Sequence, residues 1–242
     1  MKLAVDIGNT SISIGLFNKF DLVVKTNLSN INNFEEFINS IKEYDIKCVI
    51  ISSVVPKLTI KYKKLFEQTY NYPVVVIDYK FSNLSLSVEK PESVGSDRLC
   101  NLCAVIKDYS LPAIIIDFGT ATTYDVVNIS EEFIGGAISS GIETSAKYLI
   151  EKAALLSKTN LIFPQLVIGK NTTTNIQSGI MFGAVDQVEG MIKRIEKETN
   201  IRYSIILTGG FSNLISQKLI YKHIVDSNLT LKGIIYMYES NS

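Results

Sequence analysis

Tryptophan is absent from the 242 residues, and histidine occurs once, at His223. No Ser/His/Asp or Cys/His triad assembles around that lone histidine, which reads as structural or exposed. Cysteine is limited to Cys48, Cys100 and Cys103. Three thiols cannot all pair within the chain, and a reducing cytoplasm is their natural setting. Cys100 and Cys103 form a C-x-x-C inside a helical pattern, and no second Cys/His pair completes a zinc site. Two small core residues on one helix face is the plain reading.

Net charge is lacking too, since 24 Lys and Arg balance 24 Asp and Glu and no run of five or more Lys/Arg occurs. There is no bulk electrostatic reason to bind nucleic acid or an anionic membrane. No apolar run approaches the ~18 residues of a membrane span. The apolar stretch at the N-terminus is cut by Asp6 and is too short for a signal-peptide core. The P-loop pattern G-x-x-x-x-G-K-[ST], the G-x-G-x-x-G fingerprint and the protein-kinase signatures are all missing. Prolines number five, and no Pro/Gly-rich linker divides the chain. What remains is 46% hydrophobic, enough for one large domain or two small ones with real cores.

The pattern alternates strands and helices, which argues an α/β fold. Strands are expected at 3–8, 11–17, 22–26, 48–51 and 74–77, and helices at 34–41, 57–70 and 97–108. Residues 80–92 read as a loop. The opening pattern then returns: AIIIDFGT at 113–120, followed by a strand-like run to 128, matches LAVDIGNT at 3–10 followed by 11–17. Helices at 143–156 and 173–198, a strand at 204–208 ending in Gly209-Gly210, and helices at 211–219 and 230–239 complete the second half. Two copies of strand–turn–strand open two half-chains of similar length, so the division is set at 1–112 and 113–242.

Tight hairpins that present backbone N–H and hydroxyl donors hold phosphate oxygens, and a carboxylate at the strand end holds the shielding cation. Asp6, Gly8, Asn9 and Thr10 have this composition, as do Asp117, Gly119, Thr120 and Thr122. Gly209-Gly210 would let a nucleotide approach the backbone closely. Two phosphate hairpins from related halves resemble the actin, hexokinase and acetate kinase superfamily. That resemblance implies two similar ribonuclease H-like domains with a cleft between them.

Within the superfamily the motifs resemble type III pantothenate kinases: DIGNT at 6–10, SSVVP at 52–56, GSDR at 95–98, DFGTATT at 117–123, GKNT at 169–172, QSGIMFG at 177–183 and TGG at 208–210. The resemblance implies phosphorylation of pantothenate to 4′-phosphopantothenate, the first step toward coenzyme A, with ATP and magnesium. It implies ATP contacts along Asp6, Ile7, Gly8, Asn9, Thr10, Ser11, Ile12 and Ser13 and at Thr120. Gly95, Ser96, Asp97 and Arg98 would hold pantothenate with Thr172, Asp97 would accept the proton, and Asp117 would bind a monovalent cation, potassium or ammonium. It also implies a homodimer with the pantothenate pocket at its interface. Departures from the family pattern are Ser96 in place of alanine, Val88 in place of an aromatic residue, and Ser140 in place of proline before Gly141.

The chemistry of these residue types agrees. Arg98 can pair the carboxylate of pantothenate with a fork of donors, and Asp97 can accept the proton of its primary hydroxyl. A helix start and the adjacent guanidinium both favour an ionised Asp97. Gly179, Gly183 and Gly190 fall on one face of the long helix, where they allow close packing within the subunit or between subunits. Two other readings keep the fold: a non-catalytic accessory or regulatory protein, and a kinase of another small hydroxy acid.

Overall fold

The computed structural model describes residues 1–28, 34–153 and 159–241. They form two compact units. The first comprises Met1–Tyr109, Glu131–Phe133 and Asn228–Ser242, and the second Ser110–Ser130 and Ile134–Ser227.

The first unit is built on a sheet of β1 (Lys2–Ile7), β2 (Ile12–Asn18), β3 (Asp21–Leu28), β4 (Cys48–Ser53) and β5 (Val74–Ile77), in the order β3-β2-β1-β4-β5. Strand side chains alternate between faces. Leu3, Val5 and Ile7 of β1 point one way, into a core that also holds Ile14, Val49, Ile51, Phe37, Ile38, Tyr62 and Phe66. The helical partners come from α1 (Phe34–Ser40), α2 (Pro56–Lys64) and a π turn over Leu65–Thr69 that prolongs α2. Ala4 and Asp6 point the other way, toward α3 (Ser96–Asp108) and the C-terminal helix.

The second unit begins the same way with β7 (Ala113–Phe118) and β8 (Ala121–Val127), followed by β9 (Glu132–Ser140, of which Glu132 and Phe133 belong to the first unit), α4 (Ile142–Lys152), α5 (Thr172–Thr199), β10 (Ser204–Gly209), α6 (Ser212–Ser216) and β11 (His223–Val225). Its sheet has six strands, and apart from a short sixth strand beyond β9 their order, β9-β8-β7-β10-β11, repeats that of the first sheet element for element. β1 pairs antiparallel with β2 and parallel with β4, and β7 pairs antiparallel with β8 and parallel with β10. The duplication expected from the sequence is thus a duplication of topology. Ile114, Ile116 and Phe118 pack with Tyr124, Val126, Ile142, Met181, Val185 and Ile215. Each such side chain, fully buried, contributes on the order of 1.5–3 kcal/mol.

Some elements differ from the sequence reading. Residues 80–92 are not featureless: they carry β6 (Ser85–Leu86), which pairs with Glu132 and Phe133 of β9, and short 3₁₀ turns at Tyr79–Phe81 and Pro91–Ser93. β9 and β11 were not expected. β9 carries two glycines that suggest a loop, and β11 has three residues; each is a strand because a neighbour supplies a ladder. The helix expected at 143–156 is described to Lys152, and its last residues lie outside the described residues.

The final helix, α7 (Leu229–Glu239), departs from the division at 112/113 by packing into the first unit. Leu229, Leu231, Ile234, Ile235 and Met237 are buried there. Apolar burial against α3, β1 and β4, not chain order, decides its membership. The approach is close: a Cβ on Gly233 would overlap the carbonyl of Cys100 in α3. Forcing extra atoms into a packed interior costs typically 1–3 kcal/mol. Gly233→Ala is therefore expected to lower unfolding stability by about that amount, read as a lower urea midpoint at unchanged slope.

Candidate active site

Four features of the first unit converge at the C-terminal ends of β1 and β4. β1 ends beside Asp6, and the turn beyond it is closed by Gly8 N–H donating to the Ser11 carbonyl at 3.0 Å. Asn9, Thr10 and Ser11 are exposed at its tip, while Ile12 is buried and belongs to the core. Asp6 stands in register with Ser52, and the Ser52 hydroxyl donates to Asp6 Oδ1 at 3.1 Å. Ser96, the first residue of α3, accepts the Ser53 N–H at 2.9 Å. Where the family pattern has alanine, this chain has a hydroxyl that ties the helix start to β4.

Asp97 and Arg98 follow in the first turn of α3. Asp97 Oδ1 accepts the Arg98 backbone N–H at 2.7 Å. Burial pushes the Asp97 carboxyl above the usual carboxylate range, outweighing that hydrogen bond and the Arg98 charge. The sequence expectation had only the two lowering influences and missed the larger, opposite one. The Arg98 guanidinium lies over the Phe133 ring, 5.4 Å from its centroid. Phe133 is buried, so it offers a fixed platform for a cation. Both α3 thiols are raised by burial, Cys103 to about 11, and Cys100 Sγ lies 3.7 Å from Met237 Sδ. Such thiols are inert, as core residues should be.

The second unit presents the related hairpin. Gly119 N–H donates to the Ala121 carbonyl at 3.0 Å, a turn one residue tighter than the first. Thr120 is exposed at the tip, and its carbonyl accepts from Gly141 N–H at 3.0 Å and from Thr144 Oγ1 at 2.7 Å. A Cβ on Gly141 would overlap that carbonyl, which explains glycine at the start of α4. Ser140 holds the same turn through a 2.7 Å contact with Ser145 Oγ. Asp117 shares a sheet face with Thr123 and Thr208 by register, and Asp125 lies on that face beyond. Gly209 has φ +87° and lies so close to Asp117 Oδ1 that a side chain would overlap it. Thr172 is exposed at the start of α5, next to an Asn171–Thr174 capping box.

Immediately after Gly210, Phe211 joins Lys147, Ile150 and Leu161 in lining a cavity of about 570 Å³. That volume suits a small organic ligand. The residues not anticipated from sequence are Ser52, Phe133, Thr144 and Phe211. Ser52 sat inside a quoted motif, but only the fold turns it toward Asp6.

Among the described residues no cluster of three or more His, Cys, Asp or Glu could hold a metal. Magnesium is commonly bound through one or two carboxylates plus the phosphates of its nucleotide. Asp6 and Asp117, each at a strand end beside an exposed turn, fit that mode. No helix among the described residues is long and apolar enough to cross a membrane.

A repeated strand-order unit with a carboxylate and a glycine turn at each opening hairpin is the plan of a duplicated ATPase-like fold. Solved structures share the fold across nearly the whole chain. One is a Campylobacter jejuni protein assigned to the Baf family of transcriptional activators, with a TM-score of 0.65 at 18% identity, covering 99% of this chain and 98% of that one. Another is a Sinorhizobium meliloti protein assigned as a 2-dehydro-3-deoxygalactonokinase, at 0.57 and 11%, covering 100% and 99%. A third is the Clostridium difficile activator of 2-hydroxyisocaproyl-CoA dehydratase with bound ADPNP, at 0.56 and 13%, covering 99% and 96%. The type III pantothenate kinase model matches residues 2–194. A type III pantothenate kinase of Sulfurihydrogenibium sp. (strain YO3AOP1) is 40% identical over 98% of this chain and 99% of its own. The chain belongs to the type III pantothenate kinase family, and it is a kinase that transfers a phosphoryl group to an alcohol.

The raised Asp97 carboxyl carries a stability consequence. Its folded pKa lies above the unfolded one, so the native state binds the proton more tightly there and loses stability as pH rises through that interval. At neutral pH the burial cost is fully present. Asp97→Asn is expected to melt at a higher temperature than the parent at pH 7. The gap should close as pH falls through the raised pKa toward the ordinary carboxylate value.

Proposed function

We propose that the chain phosphorylates pantothenate with ATP to give 4′-phosphopantothenate, in the cytoplasm, with Asp97 as general base. The observation that carries this reading is the half-buried Asp97, oriented by a backbone N–H beside an Arg98 seated on Phe133. The Arg98 guanidinium pairs the substrate carboxylate with Gly95, Ser96 and Thr172 as further contacts. Asp97 accepts the proton of the primary hydroxyl as its oxygen bonds to the γ-phosphorus and the bond to the departing ADP breaks. A carboxylate of raised pKa is a stronger acceptor at working pH than an ordinary one. Asp6 and the exposed turn of Asn9, Thr10 and Ser11 supply ATP contacts, and Thr120 supplies another. Magnesium bound with ATP supplies charge neutralisation of the phosphates.

Asp117 is proposed to bind a monovalent cation, potassium or ammonium. Its support is the polar face it shares with Thr123 and Thr208 and the Gly209 backbone against it. A homodimer is proposed from the long helix. Among the described residues a Cβ on Gly179, Gly183 or Gly190 would meet nothing within 4 Å, which leaves the glycine face open to a second subunit.

Incubation with ATP, magnesium, potassium and pantothenate, with the phosphorylated product detected by mass, tests the reaction; no product overturns it. Asp97→Asn should fold and bind ATP while kcat falls on the order of 10²–10⁴-fold. Arg98→Ala should chiefly raise KM for pantothenate. Asp117→Asn should flatten the preference for potassium over sodium, measured as the ratio of rates in the two salts.

A further inference from the structure

Ser52 is fully buried and is not part of the chemistry assigned above. Its place opposite Asp6 on the neighbouring parallel strand puts both side chains on the face toward α3. Ser52 Oγ donates to Asp6 Oδ1 at 3.1 Å and lies 3.1 Å from Ser96 Oγ, which is itself buried. A hydroxyl carries one proton. An ionised carboxylate is a stronger acceptor than a hydroxyl, so the Ser52 proton goes to Asp6 and the Ser96 proton fills the space between the two oxygens. The Ser53 N–H, 2.9 Å from Ser96 Oγ, occupies the remaining position. An ordered run of donors results, from Ser53 N–H through Ser96 and Ser52 to Asp6, each polarising the next. Cys100, one turn along α3, flanks the same groups and feels both the Asp6 charge and the Ser52 hydroxyl.

We propose that Ser52 is a positioning residue for Asp6, and that Ser96 completes the device by fastening the first turn of α3, with Asp97, to the same strand end. The two carboxylates at this end of the unit are thereby set by one hydrogen-bonded run. The inference rests on reading Asp6 as the carboxylate that serves the magnesium–nucleotide complex. Ser52 fixes which way the Asp6 oxygens point. Ser96 reaches Asp6 through Ser52, the hydroxyl between them.

The test is titration calorimetry of ADP with and without magnesium on the full chain, with turnover measured in parallel. Partners that orient a metal-side ligand typically change affinity by about 10–100-fold. Ser52→Ala is expected to weaken magnesium-dependent ADP binding by that factor and to leave both metal-free ADP binding and KM for pantothenate unchanged. Ser96→Ala should give a smaller loss of magnesium-dependent ADP binding, and it keeps that measurement accessible if Ser52→Ala does not fold. The double substitution should lose no more than Ser52→Ala alone. Unchanged magnesium-dependent binding in the variants, or losses that multiply in the double variant, overturns the positioning role. A parent protein whose ADP binding ignores magnesium overturns instead the reading of Asp6 on which it rests.

Discussion

Everything in this protein's site depends on the two-residue period of a β-strand. In β1, the apolar anchors Leu3, Val5 and Ile7 enter one core, and alternation sends Asp6 to the opposite face at the strand end. In β7, Ile114, Ile116 and Phe118 do the same and leave Asp117 on the other side. A one-residue slip of either strand would bury the carboxylate in a hydrophobic core and turn the anchors outward. The cores therefore do more than hold the units together, because they aim the chemistry. The same register brings Ser52 alongside Asp6 and Thr208 alongside Asp117.

The two hairpins share a plan and differ in their supports. The first has an exposed Asn9-Thr10-Ser11 tip and is backed by a serine run from β4 and α3. The second is one residue tighter, and the start of α4 holds its Thr120 carbonyl through Gly141 and Thr144. Duplication accounts for the common strand order, and the different supports give the two hairpins different surroundings: a buried serine pair behind the first, a helix start behind the second. At Asp97 the fold accepts a desolvated carboxylate whose ionised form costs stability, and the raised basicity is what a proton acceptor requires.

Two of the three departures from the family pattern have hydrogen-bond partners. Ser96 holds the Ser53 amide, and Ser140 meets Ser145. Each added hydroxyl sits in a place where a hydrogen bond is available, which is the condition for carrying a polar group at a buried or crowded position.

Much of this was legible in the residues alone. The repeat of an apolar strand ending in Asp-x-Gly, the period-3.6 pattern of α3 and α5, and the motif order located the strands, the turns and the Asp97–Arg98 pair, because those signals are local. β9 and β11 were not legible, since glycines and short length conceal a strand whose ladder comes from a neighbour. The place of α7 in the first unit was not legible either, because long-range burial against α3 overrides chain order. Nor was the direction of the Asp97 shift: sequence shows the charged neighbours, while the desolvation that outweighs them exists only once the chain has closed around the carboxylate. Sequence by itself determined which groups are available and the strand period that separates them. Tertiary structure decided which of them meet, because Ser52, Ser96 and Asp6 are far apart along the chain and are joined only by parallel pairing of β1 with β4 and by the docking of α3.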